Sequence, residues 1–183
     1  EAFESLFGAP PTRLADKRHV PVTRITSPLG PLLAAADDRG LLLLEFTDRR
    51  ALATQIKALQ KSTGATFAPG EHPHFDELRI QLDEYFAGQR RDFDLPLDLA
   101  GSPFQLACWR ALQQIPCGET RSYGEIAEQL GRPGASRAVG TANGQNRIAI
   151  LVPCHRVIKA DGTLSGYGGG LWRKHHLLEL EQG

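Results

Sequence analysis

Residues 153–157, with the sequence PCHRV, are the strongest candidate for chemistry in this chain. A cysteine attacks as a thiolate, which nearby cations and helix N-termini favour. His155 and Arg156 put positive charge beside Cys154, and a carboxylate elsewhere could orient the imidazole in a nucleophile–base–orienter relay. Because adjacent side chains rarely hydrogen-bond directly, a link from His155 to Cys154 needs a water or a turn. The alternative is a buried structural cysteine beside an exposed histidine, the commoner arrangement for an arbitrary Cys-His pair.

A metal site is the next alternative, and the spacing of the ligand types argues against it. The cysteines at 108, 117 and 154 form no C-x-x-C pair, and the histidines lack zinc-ligand spacing. Cys108 falls on the apolar face of a predicted helix, and Cys117 falls in a predicted turn. The sequence SGYGGG at 165–170 completes no phosphate-binding motif and predicts a flexible substrate loop instead. We therefore predict no metal site and no phosphate-binding loop.

The composition is that of an ordinary globular protein. The chain has 183 residues, 41% of them hydrophobic, with 21 basic and 21 acidic side chains, which fits one domain or two small ones. It has no apolar run of the ~18 residues that a membrane span needs, and EAFESLFGAP lacks the basic-then-apolar order of a secretion signal. Three cysteines favour a reducing compartment, so we expect a cytoplasmic protein. The zero net charge argues at first against a nucleic-acid partner.

The charge is unevenly distributed along the chain. Residues 1–102 carry 12 basic and 15 acidic side chains, whereas residues 103–183 carry 9 basic and 6 acidic ones. Within residues 121–159, six basic side chains stand against two acidic ones. A solvated surface and a phosphate-facing patch both explain this excess, and charge alone does not separate them.

The first half of the chain predicts a sheet followed by two helices. Residues 20–46 contain apolar runs typical of strands, two of them joined by a DRG turn as in a β-hairpin. Helical spacing over 49–61 and 72–87 predicts two helices separated by a loop. We expect an α/β scaffold domain with an antiparallel sheet at 18–90. Prolines exclude a continuous helix over 91–102, which is predicted as a linker to a domain at 103–183.

The residue pattern in the second half of the chain predicts mainly helices. A first helix begins at Pro103, and Ser122 with Glu125 has the spacing of a capping box that opens the helix YGEIAEQLG. SRAVGTANG predicts another short helix, and two short helices around a glycine-containing turn are typical of a helix-turn-helix. The small side chains of SRAVGTANG would let the backbone of this helix approach a partner closely. IAILV at 148–152 is predicted as a buried extended segment, and RKHHLLELE as a closing helix.

These motifs, in this order, resemble the O6-alkylguanine-DNA alkyltransferase family, the methylated-DNA–protein-cysteine methyltransferases. The resemblance covers roughly residues 20–183 and rests on SPFQ with the Trp109 helix, GET-SYGEIA, RAVGTAN, Asn146, PCHRV, SGYGGG and a K-x-x-L-L-x-x-E-like helix. It implies a ribonuclease H-like α/β domain followed by a winged-helix-like helix-turn-helix domain. The implied function is direct, irreversible, single-turnover transfer of an alkyl group from O6-alkylguanine, and also O4-alkylthymine, in double-stranded DNA to the protein.

The resemblance also assigns roles to particular residues. The implied catalytic set is Cys154 as alkyl acceptor, His155 as a base acting through water, Glu181 as its orienter, Asn146 as a hinge, and Tyr123 as a donor to the flipped guanine. The implied DNA-binding set is the finger Arg137, which fills the space of the flipped base, with Ala135, Ser136, Ala138, Thr141 and Arg147. The implied substrate-reading set is the backbone of Val157 and of the 166–169 loop, including Tyr167 and Gly168.

The sequence departs from the family pattern at a few places. Arg147 stands where members often have Pro and adds a possible phosphate contact, and Gly168 stands where some have Ser. Members that bind zinc use N-terminal cysteines, which this sequence lacks, so the prediction of no metal is kept. A related group that lacks the acceptor cysteine only senses lesions. A non-catalytic sensor of alkylated DNA coupled to transcription is therefore one alternative, and a cysteine hydrolase with multiple turnovers is another.

Residues 1–17 carry a separate resemblance. EAFESLFGAPPTRL is similar to the tail of an AraC-type DNA-binding domain, which implies the C-terminal region of an Ada-type protein that joins transcription regulation to repair. An ordinary N-terminal helix explains the same residues equally well. For the chain itself we expect a monomer that binds DNA and no membrane, associated with the nucleoid when on DNA.

Overall fold

The computed structural model describes Leu6 and residues 18–183. Contacts divide these residues into two units: the described residues up to Asp83 with Asp94–Ala100, and Glu84–Phe93 with Gly101–Gly183. The predicted boundaries at 18–90, 91–102 and 103–183 stay predictions. The AraC-like interpretation of residues 1–17 lies outside the described residues, Leu6 apart. Among the described helices, none has the length and apolar character needed to cross a membrane.

The first unit contains a four-stranded sheet. Its elements are β1 (His19–Ile25), β2 (Leu32–Asp37), β3 (Gly40–Phe46), α1 (Leu52–Thr63), β4 (Thr66–Pro69) and α2 (Pro73–Phe86), the last turn of which belongs to the second unit. The strand order is β3-β2-β1-β4. The predicted hairpin is confirmed, because β2 and β3 pair antiparallel around the DRG turn. The α/β character of this region is also confirmed.

The sheet is mixed, so the prediction of a purely antiparallel sheet is wrong. β1 pairs antiparallel with β2 but parallel with β4, a segment that the sequence predicts as loop. β4 has four residues, and Phe67 alone among them is buried, so it carries no alternating pattern. Its Pro69 is tolerated because β4 is an edge strand, where a missing N–H donor costs little.

The second unit is mainly helical, as predicted. Its helices are α3 (Pro103–Gln113), α4 (Tyr123–Gln129), α5 (Ser136–Gly144) and α6 (Leu171–Gln182), with a 3-10 turn at Cys154–Arg156 and two short parallel strands, β5 (Arg121–Ser122) and β6 (Val157–Ile158). The predicted capping box is confirmed. The Ser122 hydroxyl accepts from the Glu125 N–H at 3.1 Å, and the Glu125 carboxylate accepts from the Ser122 N–H at 2.6 Å.

A buried hydrogen bond joins α3 to α5, and a buried series of turns leads from the end of α5 to Cys154. Trp109, only 1% exposed, donates from Nε1 to the carbonyl of Ala142 in α5 at 2.9 Å. Residues 148–152 are buried as predicted, but they run through turns and not through an extended segment. Ile150 has a φ of 71°, in the left-handed region that branched residues rarely occupy. The Asn146 amide, which bonds the backbone of Ile148 and Val152, imposes these turns.

Candidate active site

Cys154 opens the 3-10 turn and is only 7% exposed. Its Sγ accepts a hydrogen bond from Asn146 Nδ2 at 3.2 Å, and its carbonyl accepts one from Asn143 Nδ2 at 3.3 Å. Asn143 lies in the last turn of α5, and Asn146 follows that helix by two residues. The end of α5 is thereby tied to the sulfur, and an N–H donor beside the sulfur suits a cysteine that reacts as a thiolate.

Asn146 makes further hydrogen bonds with both ends of its amide. Nδ2 also lies 2.8 Å from the carbonyl of Val152 and 3.2 Å from that of Ile148, and Oδ1 accepts from the Ile148 N–H at 3.0 Å. The side chain is 1% exposed. A single amide thus shapes the turn that precedes Cys154 and contacts its sulfur, which fits the expected hinge role.

His155 is completely buried, unlike the exposed histidine of the structural alternative. Its Nε2 lies 2.7 Å from Oε1 of Glu181 in α6. Because a carboxylate only accepts, Nε2 is the donor of this bond and Nδ1 is left as an acceptor. Nδ1 is buried and has no hydrogen-bond partner among the described residues. The ring therefore has one nitrogen available to accept a proton.

The electrostatics keep the imidazole neutral and the carboxylate charged. Burial lowers the pKa of His155, although the hydrogen bond to Glu181 acts in the opposite direction. Burial acts to raise the pKa of Glu181, but the hydrogen bonds from His155 and Arg156 outweigh it and lower that pKa overall. A neutral imidazole beside an ionised carboxylate is the state that a general base requires.

Arg156 has a role that its place in the sequence does not reveal. Its guanidinium donates to both carboxylate oxygens of Glu181, each at 2.9 Å, and to the carbonyl of Ile115 at 2.6 Å. It is 6% exposed. Arg156 therefore neutralises Glu181 inside the protein, and counting it among the cations of a phosphate-facing patch is wrong.

Lys174, which sequence reasoning missed, is fully buried in α6. Its Nζ donates to the carbonyls of Val157 at 2.5 Å and Ser165 at 3.0 Å, and it lies 3.4 Å from that of Gly166. Burial lowers the pKa of Lys174 to about 8. The available signal was its spacing in α6, because Lys174 lies seven residues before Glu181 and therefore on the same helix face.

The 165–170 segment, predicted as a flexible loop, is anchored by α6. Lys174 holds two of its carbonyls, and Arg173 donates to the carbonyl of Gly169 at 2.9 Å. Tyr123, at the start of α4, donates from its hydroxyl to the carbonyl of Ser165 at 3.1 Å. Of the residues expected to read the base, Val157 is buried, Tyr167 is half-buried and Gly168 is exposed. The structure therefore brings this loop, Tyr123 and β6 together.

The residues that the sequence predicts to contact DNA lie on or next to α5. Val139, Ala142 and Asn143 form its buried face, and Arg137, Ala138 and Thr141 its exposed face. Ala135 and Ser136, at its start, are half-buried.

A groove of about 420 Å³ runs beside Ala138 and Thr141, lined also by Ser102, Phe104, Gln105, Ala142 and Gln145. Arg147 is separate from this exposed face, half-buried with its guanidinium 5.6 Å from the Trp109 ring centroid.

One group of side chains in the described residues has the proximity that metal binding needs. His175, His176 and Glu179, all exposed on α6, place ligand atoms within 4.8 Å of one another. The sequence-based spacing argument did not foresee this group. It lies on the exposed face of α6, whereas Lys174 and Glu181 of the same helix are buried.

Two family descriptions match the chain and together cover most of it. Residues 22–99 match the "6-O-methylguanine DNA methyltransferase, ribonuclease-like domain", and residues 103–183 match the "6-O-methylguanine DNA methyltransferase, DNA binding domain". A methylated-DNA–protein-cysteine methyltransferase of Mycolicibacterium paratuberculosis is 54% identical over 159 residues, covering 86% of this chain and 90% of that protein.

Solved structures of a mycobacterial relative have the same fold. The O6-methylguanine methyltransferase of Mycobacterium tuberculosis is 50% identical, with a TM-score of 0.75 over 89% of this chain and 93% of that one. The structure of the M. tuberculosis OGT protein in complex with DNA matches with a TM-score of 0.74 at 50% identity, covering 90% of this chain and 92% of that one.

Proposed function

This chain belongs to the 6-O-methylguanine DNA methyltransferase family, and we propose that it repairs DNA by moving the alkyl group of an O6-alkylguanine base onto its own Cys154. The family resemblance expected from the sequence is confirmed, as is the activity of a DNA-repairing alkyltransferase that acts on DNA. The assignment to individual residues is carried by one observation. Cys154 receives an N–H from Asn146 and is followed directly by a buried His155–Glu181 pair.

The reaction is a displacement at the alkyl carbon. The thiolate of Cys154 supplies the electron pair of the new carbon–sulfur bond, and the carbon–O6 bond breaks with its pair on the base. The products are a thioether in the protein and an unmodified guanine, which takes up one proton. The thioether is stable, so each molecule reacts once. O4-alkylthymine offers the same displaceable oxygen, and no cofactor takes part.

Two side chains handle the protons. His155 accepts the thiol proton through a water at Nδ1, because its other nitrogen donates to Glu181. Tyr123 donates a hydrogen bond to the flipped guanine and helps the leaving base gain its proton. Its hydroxyl already lies beside the 165–170 segment, where the Ser165 carbonyl accepts from it. The backbone of Val157, Tyr167 and Gly168 then reads the guanine edge.

The exposed face of α5 contacts the DNA. A base inside a duplex is inaccessible and must be rotated out, at a cost of about a few kcal/mol. Arg137 enters the stack and fills the space of the flipped base, while Ala135, Ser136, Ala138 and Thr141 lie against the minor groove. Small side chains suit a narrow groove that carries little sequence information. Arg147 contacts a phosphate.

The family resemblance supports our proposal for the finer architecture, and the small number of cysteines supports our proposal for the location. The mixed sheet with its helices is the ribonuclease H-like part, and α4 and α5 form the helix-turn-helix of a winged-helix-like part. The protein works in the cytoplasm, on the nucleoid when bound to DNA.

An intact-mass measurement tests the acceptor. After incubation with a duplex that contains one O6-methylguanine, the protein gains the mass of one methyl group, and peptide mapping locates it at Cys154. Transfer stops at one equivalent. Continued turnover would instead indicate a hydrolase, and tight lesion binding with unchanged lesion content would indicate a non-catalytic sensor.

A pair of cysteine variants provides the control. Cys154→Ser leaves no adduct while still binding the duplex, because the hydroxyl is a far weaker nucleophile than the thiolate. Cys117→Ser, at a half-buried position outside the proposed machinery, keeps the adduct. An adduct that persists in Cys154→Ser would overturn the assignment.

A further inference from the structure

The Glu181 carboxylate has a third donor besides His155 and Arg156. The Tyr85 hydroxyl donates to Oε1 at 2.8 Å, and the same oxygen accepts from His155 Nε2 at 2.7 Å and from Arg156 Nη2 at 2.9 Å. The other oxygen, Oε2, accepts from Arg156 Nε at 2.9 Å. The oxygen that holds the imidazole is thus shared among three donors.

Tyr85 is buried and packs against two aromatic side chains. It lies next to the last residue of α2 and is 2% exposed. Its ring packs edge-on against Phe86 and tilted against Phe93, with both centroid distances at 5.3 Å. Burial and the nearby Glu181 charge raise the pKa of Tyr85, so the hydroxyl keeps its proton and acts only as a donor here.

We propose that Tyr85 is a positioning residue for alkyl transfer, whose hydroxyl fixes the Glu181 oxygen that orients His155 and limits how strongly that oxygen attracts the imidazole proton. This inference rests on the proposed function, in which His155 must be neutral to accept a proton from Cys154. The Tyr85 hydroxyl on Oε1 withdraws negative charge from the His155 bond, because hydrogen bonds to one acceptor compete for the same electron density.

Removing the hydroxyl has a predictable sign. In Tyr85→Phe the Glu181 oxygen carries more negative charge, which stabilises protonated His155 and raises the pKa of that histidine. The neutral base is then lost at a higher pH. The other charged and titratable groups facing this cluster stay in place: Arg156 and Lys174 near His155, and Arg91 and Cys117 near Tyr85 and Glu181.

The test is the single-turnover rate of transfer from a methylated duplex, measured from about pH 4 to about pH 9 so that the range includes an acidic limb below the ordinary histidine pKa. In Tyr85→Phe the acidic limb moves up by about half a pH unit. The rate below that limb then falls about threefold, because the neutral fraction of the base falls in proportion. At high pH, where the base is neutral in both proteins, the two rates converge.

Phe93→Leu is the matched control. It loosens the packing of the Tyr85 ring without removing the hydroxyl, so it lowers the melting temperature and leaves the acidic limb in place. An unchanged profile in Tyr85→Phe overturns the inference, and so does a uniform rate loss at every pH that Phe93→Leu reproduces. Absence of any adduct in the unsubstituted protein would contradict the proposed function itself and is a separate result.

Discussion

At the scale of single residues, the candidate site depends on a few buried polar side chains that each serve several partners. Asn146 contacts the Cys154 sulfur and the backbone of the preceding turn, and Glu181 receives donors from three residues. Buried polar groups are costly unless every donor and acceptor is used. Replacing one such residue removes several buried hydrogen bonds at once, whereas replacing an exposed residue does not.

Asn146→Ala should destabilise the protein by about 2 to 4 kcal/mol, because it removes several buried hydrogen bonds and leaves backbone carbonyls without a donor. The carbonyls of Val152 and Ile148 are the groups affected. Urea unfolding gives the free energy of unfolding. The rate of alkyl transfer should fall as well, because the sulfur loses its donor.

Asn143→Ala is the comparison for that experiment. The Asn143 side chain makes one hydrogen bond among the described residues, to the Cys154 carbonyl at 3.3 Å, so its loss should cost about 1 kcal/mol. Equal losses in the two variants would show that Asn146 is no more central to the turn than its neighbour, against the expected hinge role.

At the scale of elements, local patterns predicted the helices well and the irregular segments badly. The capping box at Ser122 sets the start of α4, and Pro103 stands at the start of α3. In contrast, β4 and the turns at 148–152 were assigned incorrectly. β4 is a strand because β1 offers a free edge, and residues 148–152 turn because Asn146 bonds them. Neither cause lies within the segment itself.

The exposed face of α5 carries a prediction about base flipping. The Arg137 guanidinium has no hydrogen-bond or ion-pair partner among the residues that the structure describes, so it is available to enter the stack. Arg137→Ala should slow transfer from duplex DNA by about tenfold or more, because flipping costs about a few kcal/mol without it. Arg137→Lys should be intermediate, since an ammonium stacks less well.

Transfer from the free O6-methylguanine base provides the control, because no flipping is needed there. Both Arg137 variants should react with the free base at nearly the unsubstituted rate, as followed by intact mass. Thermal unfolding should be unchanged because the side chain is exposed. Equal duplex rates in all three proteins would rule out the finger role.

At the scale of the whole molecule, the net charge is zero although residues 103–183 carry more basic than acidic side chains. Residues 121–159 hold six basic side chains, but Arg156 pairs with Glu181 and Arg121 with Glu119. The remaining cations of this stretch are Arg132, Arg137, Arg147 and Lys159. We therefore expect about four phosphate contacts from this stretch, fewer than the sequence count suggests.

Duplex binding should accordingly depend only modestly on salt. The slope of log K against log salt concentration should be about −4 or shallower, since each phosphate contact contributes about −0.9. Fluorescence anisotropy at several salt concentrations measures it. Arg132→Ala should reduce the slope by about one, whereas Arg50→Ala, exposed in the first unit, should leave it unchanged. A slope near −8 would contradict this expectation.

The sequence by itself determined the features that depend on neighbouring residues. The starts of α3, α4 and α5, the hairpin and the candidate nucleophile depend on residue types a few positions apart. Local physics is sufficient to predict them. The predicted domain boundaries and site roles remain hypotheses for the experiments above.

The tertiary structure alone decided which distant residues meet. Tyr85 and Glu181 are 96 positions apart, Arg156 and Glu181 are 25 apart, and Lys174 reaches a carbonyl 17 residues earlier. Burial makes these contacts strong and makes the unpaired alternatives costly. No spacing rule specifies such pairs, because packing of whole elements, and not the local chain, brings the donors to one carboxylate.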